Sequence, residues 1–200
     1  MHDHDHADNE MDEMTARVRA LETILTEKGL VDPTTIDTIV EAMETRIGPR
    51  NGARVVARAW VDPDYAARLR SDAVSAVAEL GYGGAGGEHM RAVFNDAQTH
   101  NLIVCTLCSC YPWPVLGLPP VWYKSPPYRA RAVKEPRKVL EEFGVKLPKE
   151  TKIRVRDSTS EVRYMVVPQR PAGTEGLDEE ALAALVTRDS MIGTALVSAP

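Results

Sequence analysis

Cysteine is scarce in this sequence: three in 200 residues, with none outside one short stretch. An odd, clustered set cannot build a framework of disulfides, and it argues for a reducing compartment. Positive charge is short as well. Lys and Arg number 24 against 29 Asp and Glu, a formal net charge of -5, which gives no broad attraction to nucleic acid or to an anionic membrane. No apolar run approaches the roughly 20 residues of a membrane span. The opening MHDHDHADNEMDEM lacks the basic and then apolar order of a signal peptide. These absences predict a soluble, cytoplasmic protein with neither a nucleic-acid nor a membrane partner.

What is present, 44% hydrophobic and 26% charged residues, fits one soluble domain plus an appendage. Residues 1–13 read as a disordered His/Asp-rich tail. His2, His4 and His6 stand in it with acids between them, but nothing surrounds them to fix a metal geometry. Residues 14–49 read as a helical arm. Met14, Val18, Leu21 and Leu25 recur at helical spacing within a helix over 11–28 that stops at Gly29. Asp32-Pro33 opens a second helix, to about Ile47, with an N-cap and a first-turn proline. Two such helices make a poor core alone and suit contact with another subunit.

Residues 50–200 form the main domain. The pattern is helical through Trp60, restarts at Asp62-Pro63 and runs to Leu80. The glycine-rich GYGGAGGEH (81–89) has no strand before it and no lysine with Ser/Thr after it, so it reads as a connection rather than a phosphate loop. Strands are expected at 90–95 and 101–106, joined by the polar turn DAQTH, and at 152–157 and 161–168, joined through STS. A proline-studded segment (112–127) lies between, followed by a helix broken at Pro136 and stopped at Gly144. A last helix in LDEEALAALVTRD takes Asp178 or Thr174 as its cap. The fold class predicted is α+β: a helical arm, then a layered α/β domain with the cysteines on a loop after a strand.

Those cysteines, in VCTLCSCYPWP (104–114), are Cys105, Cys108 and Cys110. A structural zinc site wants four closed ligands, usually in two separated pairs; here His89 or His100 would have to supply the fourth. A redox pair of Cys105 and Cys108 leaves Cys110 idle. Buried inert thiols are a third reading. The fourth uses the backbone. The Cys108 sulfur, the deprotonated amide nitrogens of Ser109 and Cys110, and the Cys110 sulfur can make a near-planar square about one metal. Cys105 adds an axial thiolate, and one octahedral position stays open. Only a small, highly charged ion such as trivalent cobalt or iron repays the removal of amide protons, and an open position suits a Lewis acid.

The cysteine motif, continued as YPWPVLGLPPVWYKSPPYRARAV, together with DSTSEVRY, PQRPAGTEG and LVTRDSMIG, resembles the alpha subunit of nitrile hydratase from about Met14 to Gly193. The resemblance implies a metal held by Cys105, Cys108, Ser109 and Cys110, with Cys108 as sulfinate, Cys110 as sulfenate and Cys105 left a thiolate. Thr106 looks like the cobalt type, so one cobalt(III) per chain is expected ahead of iron(III). The implied reaction is hydration of a nitrile to an amide, with the Cys110 sulfenate as nucleophile or base and Ser109 beside the sulfur oxygens. Trp113 resembles an aromatic wall of the substrate pocket. Asp157 and Glu161 match acids that support the site through hydrogen bonds. A beta subunit supplying arginines to the oxidised sulfurs, alpha-beta pairs that often double, and a small maturation protein are the implied partners. Gly86 departs from the family, which often has glutamine there. Two rivals stand beside this reading. The metal-bearing subunit of thiocyanate hydrolase shares the motif and often a His/Asp-rich start, but tends to carry arginine where this chain has Trp113. A metal-handling protein would instead keep its cysteines unoxidised.

Overall fold

Residues 4–45, 48–83 and 88–200 are described by the structure, a computed structural model, with the backbone alone described for 4–12 and 42–45. Two units divide the chain, Met1–Ala42 and Met43–Pro200. In the first, α1 runs over His4–Glu27. It starts upstream of the expected residue 11. Gly29, at φ 64°, ends it, and the Leu30 N–H returns to the Leu25 carbonyl at 2.9 Å, a left-handed C-cap. Asp32 then opens α2 (Pro33–Thr45), its Oδ1 accepting from the Thr34 N–H at 2.9 Å. The expected end near Ile47 lies outside the described residues, as do His2, the side chains of His4 and His6, and Gly86. The stripe of Met14, Val18, Leu21 and Leu25 stays exposed, Leu21 at 60%.

The second unit is built on α3 (Pro49–Val61), whose Val55, Val56 and Ala57 have no exposed surface. A single helix over 62–80 was expected. The structure has two, α4 (Pro63–Ser71) and α5 (Ala73–Glu79), because the Asp72 carboxylate accepts from the Ser75 N–H and hydroxyl and so starts a new helix. Next come β1 (Met90–Phe94) and β2 (Thr99–Val104). The proline-studded segment folds into two single turns, α6 (Trp113–Leu116) and α7 (Val121–Lys124), before α8 (Pro126–Lys134). Pro136 restarts the chain as α9 (Pro136–Glu142). The order closes with β3 (Lys152–Asp157), β4 (Arg163–Val167), α10 (Glu179–Leu185), capped by Asp178, and α11 (Arg188–Ile192).

The strands joined by short polar turns, β1 with β2 and β3 with β4, do not pair with each other. β1 runs parallel to β4, from Met90 opposite Arg163 to Phe94 opposite Val167, and β2 parallel to β3, from Thr99 opposite Lys152 to Val104 opposite Asp157. Side chains explain the parting of β1 and β2. Asp96 Oδ1 folds the turn by accepting from the N–H groups of Gln98 and Thr99 at 2.8 and 2.7 Å. Asn95 Oδ1 then accepts from the Asn101 N–H at 2.8 Å, where a strand carbonyl would otherwise sit. Leu102, Ile103 and Val104 of β2 are fully buried, with Met165 and Val166 of β4 and Met191 and Ile192 of α11 in the same core. Gly193 caps α11 at φ 96° so closely that a Cβ would lie 2.1 Å from the Asn101 carbonyl oxygen. No helix among the described residues is long and apolar enough to cross a membrane.

Candidate metal centre

Where β2 ends at Val104 the chain leaves the sheet, and Cys105 is the first residue beyond it. Its side chain is fully buried, Cys108 is exposed and Cys110 lies between the two. The three sulfurs lie within 4.8 Å of one another. Cys105 Sγ is 3.5 Å from Cys108 Sγ, which is 3.3 Å from Cys110 Sγ, and Cys105 Sγ also accepts the Cys108 N–H at 3.3 Å. The loop thus folds back on its own first sulfur.

Cys108 and Cys110 are shifted in opposite directions. The Cys108 thiol is held below its usual range by hydrogen bonds from the Cys110 and Cys105 sulfurs. Burial first, then the neighbouring Cys108 sulfur, pushes Cys110 up to about 12. A negative charge on Cys108 opposes a second on Cys110 beside it. A cation removes that repulsion. Three soft donors on one short loop, with backbone amides between the last two, fit a thiophilic metal ion of high charge.

Three residues from elsewhere in the chain hold the loop, and a fourth holds the strand that leads into it. Asp157, at the end of β3, accepts from Thr106 twice: the N–H to Oδ1 at 2.9 Å and the hydroxyl to Oδ2 at 2.6 Å. Tyr123 of α7, fully buried, donates its hydroxyl to the Cys110 carbonyl at 3.1 Å. Arg129 of α8 reaches the Cys108 carbonyl with Nη1 at 3.4 Å. Tyr128, beside it, donates to the Ile103 carbonyl of β2 at 2.6 Å. Tyr123 and Tyr128 belong to an aromatic cluster with Tyr111, Trp122 and Phe143, which stiffens the wall behind the cysteines.

No spacing in the sequence singles out Tyr123 or Arg129. The only signal was Ser125-Pro126, an N-cap and first-turn proline that set where α8 begins. Trp113 opens α6 three residues past Cys110 and is 41% exposed. Leu107, inside the loop, is 79% exposed. Ser109 is half-buried between the two outer cysteines. Glu161 is not brought into this set. It is exposed, its N–H donates to Thr159 Oγ1, and no hydrogen bond or ion pair among the described residues holds its carboxylate.

The zinc reading loses its fourth ligand. His100 lies toward the other end of β2, with Nε2 at 2.7 Å from the Gly193 carbonyl and Nδ1 at 3.2 Å from Asn95 Nδ2. His89 is exposed at φ 59°. Among the described residues the cysteine cluster contains no histidine.

Residues 12–195 match the family described as nitrile hydratase, alpha chain. The chain belongs to that family. It is 55% identical over 193 residues to the high-molecular weight cobalt-containing nitrile hydratase subunit alpha of Rhodococcus rhodochrous, covering 96% of this chain and 95% of the relative. A solved structure of an Fe-type nitrile hydratase from Comamonas testosteroni, a double mutant, superposes with a TM-score of 0.85 at 42% identity, over 94% of this chain and 92% of the other. Thiocyanate hydrolase subunit gamma of Thiobacillus thioparus is 45% identical over 161 residues, 75% of this chain and 66% of that protein.

Proposed function

We propose that this chain is the metal-bearing alpha subunit of a cobalt nitrile hydratase, converting nitriles to amides by adding water. The observation that carries the reading is the convergence of Cys105, Cys108 and Cys110 within 4.8 Å, on a loop of the C-x-x-C-S-C pattern, in a chain of this family. Similarity to a cobalt-containing relative and the threonine at 106 support cobalt(III). Bound by the three sulfurs and the Ser109 and Cys110 amides, that ion would supply a Lewis acid with one open coordination position.

The chain's own residues do the rest. Cys105, buried and already accepting the Cys108 N–H, stays a thiolate out of reach of oxidation. Cys108 and Cys110, nearer to solvent, are the two that dioxygen from solution oxidises, to sulfinate and sulfenate. The sulfenate oxygen of Cys110 serves as nucleophile toward the nitrile carbon or as base toward water, with the Ser109 hydroxyl beside it. Trp113 offers an apolar face to an organic substituent, which favours a nitrile over a small anion. Asp157 acts on the loop through Thr106. Glu161 awaits a partner from outside the chain.

The beta subunit is that partner. The arm of residues 14–49 carries an exposed apolar stripe suited to burial against it, in alpha-beta pairs that double to a heterotetramer, and cobalt insertion engages a maturation protein. Three free cysteines suit a reducing cytoplasm.

The test is co-expression with the beta subunit in cobalt medium, followed by metal analysis, the mass of the peptide carrying 104–114, and turnover. One cobalt per chain, two oxygens on Cys108, one on Cys110 and nitrile hydration are expected. Labile metal with three unmodified cysteines would refute the reading, and thiocyanate turnover without nitrile turnover would replace it with the hydrolase.

A further inference from the structure

We propose that Arg129 is a positioning residue for the metal centre, neutralising the charge of the Ser109 amide ligand through the Cys108 carbonyl oxygen. The proposal rests on the backbone-ligated centre described above. The Cys108 oxygen and the Ser109 nitrogen belong to one peptide unit. When that nitrogen gives up its proton and binds a metal, the negative charge is shared along N–C–O. The oxygen is then the outer end of the ligand, and Arg129 Nη1 already donates to it.

The 3.4 Å of that contact is long for a neutral carbonyl. A charged acceptor draws such bonds to about 2.7–2.9 Å, so the guanidinium contributes most in the metal-bound state. Three thiolates and two amidates around a trivalent ion leave the centre an anion. An anion held against protein requires a cation nearby.

Arg129 is otherwise unclaimed. No ion pair among the described residues includes it, and its Nε is buried without an acceptor. The cavity beside it, about 380 Å³, is lined by Thr106, Pro126, Ala130, Val133 and Lys134, with no carboxylate. Asp157, the carboxylate that reaches the same loop, accepts from Thr106 through both oxygens and makes no ion pair among the described residues. A half-buried guanidinium with no acid to pair with, in contact with the claw peptide, has a partner only when the claw is charged.

The neighbouring peptide makes the assignment specific. The unit that supplies the Cys110 nitrogen ends in the Ser109 oxygen, which accepts from no described residue. The Cys110 oxygen, one unit further, is taken by the neutral Tyr123 hydroxyl. Arg129 therefore serves one of the two amides.

The experiment compares wild type, Arg129→Met and Arg129→Lys, each co-expressed and purified as the alpha-beta complex at limiting cobalt. Readouts are cobalt per alpha chain, the sulfur-to-cobalt charge-transfer absorption, the mass of the 104–114 peptide, and the melting temperature of the metal-free complex. Arg129→Met is expected to lower cobalt uptake by about tenfold or more and to shift the absorption, with the metal-free melting temperature unchanged. Arg129→Lys, which keeps the charge, restores most of the uptake. Equal loading and an unshifted spectrum in Arg129→Met would overturn the proposal while leaving the hydratase reading intact. So would a lysine variant as defective as the methionine one with a lowered metal-free melting temperature, which marks a packing role. A wild type that loads no cobalt and keeps its cysteines unmodified would overturn both.

Discussion

Replacing Asp157 with alanine removes the two hydrogen bonds by which the end of β3 holds the first half of the cysteine loop. Both Thr106 donors, the N–H at 2.9 Å and the hydroxyl at 2.6 Å, end on this carboxylate. Hydrogen bonds to a charged group contribute about 1.5–3 kcal/mol when shielded. Asp157 is exposed, so about 1 kcal/mol each is the fitting scale, and about 2 kcal/mol together. All of it is spent holding Thr106 between Cys105 and Cys108, so the loss should fall on metal capture: roughly 30-fold at limiting cobalt. Thr106→Val removes the hydroxyl bond and keeps the N–H bond and the shape, and should lower capture about fivefold. In an Asp157→Ala background the same change should do nothing further, because its partner is already gone. The assay is cobalt per alpha chain after co-expression across a cobalt series, beside a thermal melt of the metal-free complex. Asp157→Ala loading like wild type, or the double variant losing the product of both single effects, would refute the clamp.

Three other outcomes follow from the same structure. Tyr123→Phe, which deletes the hydroxyl bonded to the Cys110 carbonyl, should cost about 1 kcal/mol and lower the melting temperature by roughly 2–4 °C; an unchanged melt would show the bond is not formed in solution. His100 is held below its ordinary 6.5 by burial, against the opposing bond to Gly193. Below pH 6.5 the unfolded chain therefore binds the proton that the folded chain refuses, and stability should fall as pH drops from 6.5 toward the lowered folded value. Urea midpoints measured between pH 8 and 5 should show that slope in wild type and lose it in His100→Gln, and equal slopes would exclude His100 as its source. Gly193→Ala sets a Cβ 2.1 Å from the Asn101 oxygen at φ 96°, which should cost about 3 kcal/mol or more and at least ~6 °C in melting temperature; a wild-type melt would mean that α11 packs less tightly on β2.

The metal centre was legible in the sequence to the extent that it is local. Cys105, Cys108, Ser109 and Cys110 lie within six residues, so their convergence needs no tertiary information. The caps were legible for the same reason: Asp32 before Pro33, Asp178 before α10 and the break at Pro136 all act within one helical turn. Asp72 was equally local, and its side chain started a helix where hydrophobic spacing alone predicted continuity. The strand partners were not local. β1 waits for β4, and β2 for β3, across stretches whose polar turns look like hairpin connections. Only the folded register puts Asp157 opposite Val104 and so one step from the loop it clamps. Asp157 comes from 51 residues downstream and Arg129 from 21, and no spacing rule links either to a cysteine. The division has a physical cause. A metal chooses its donors over a few ångströms, which a short motif can encode. Holding those donors against their own charge takes rigid elements on several sides, and those come from wherever the chain happens to return. Glu161 marks the boundary of that logic, since its resemblance to a supporting acid is clear in sequence while no described residue holds its carboxylate.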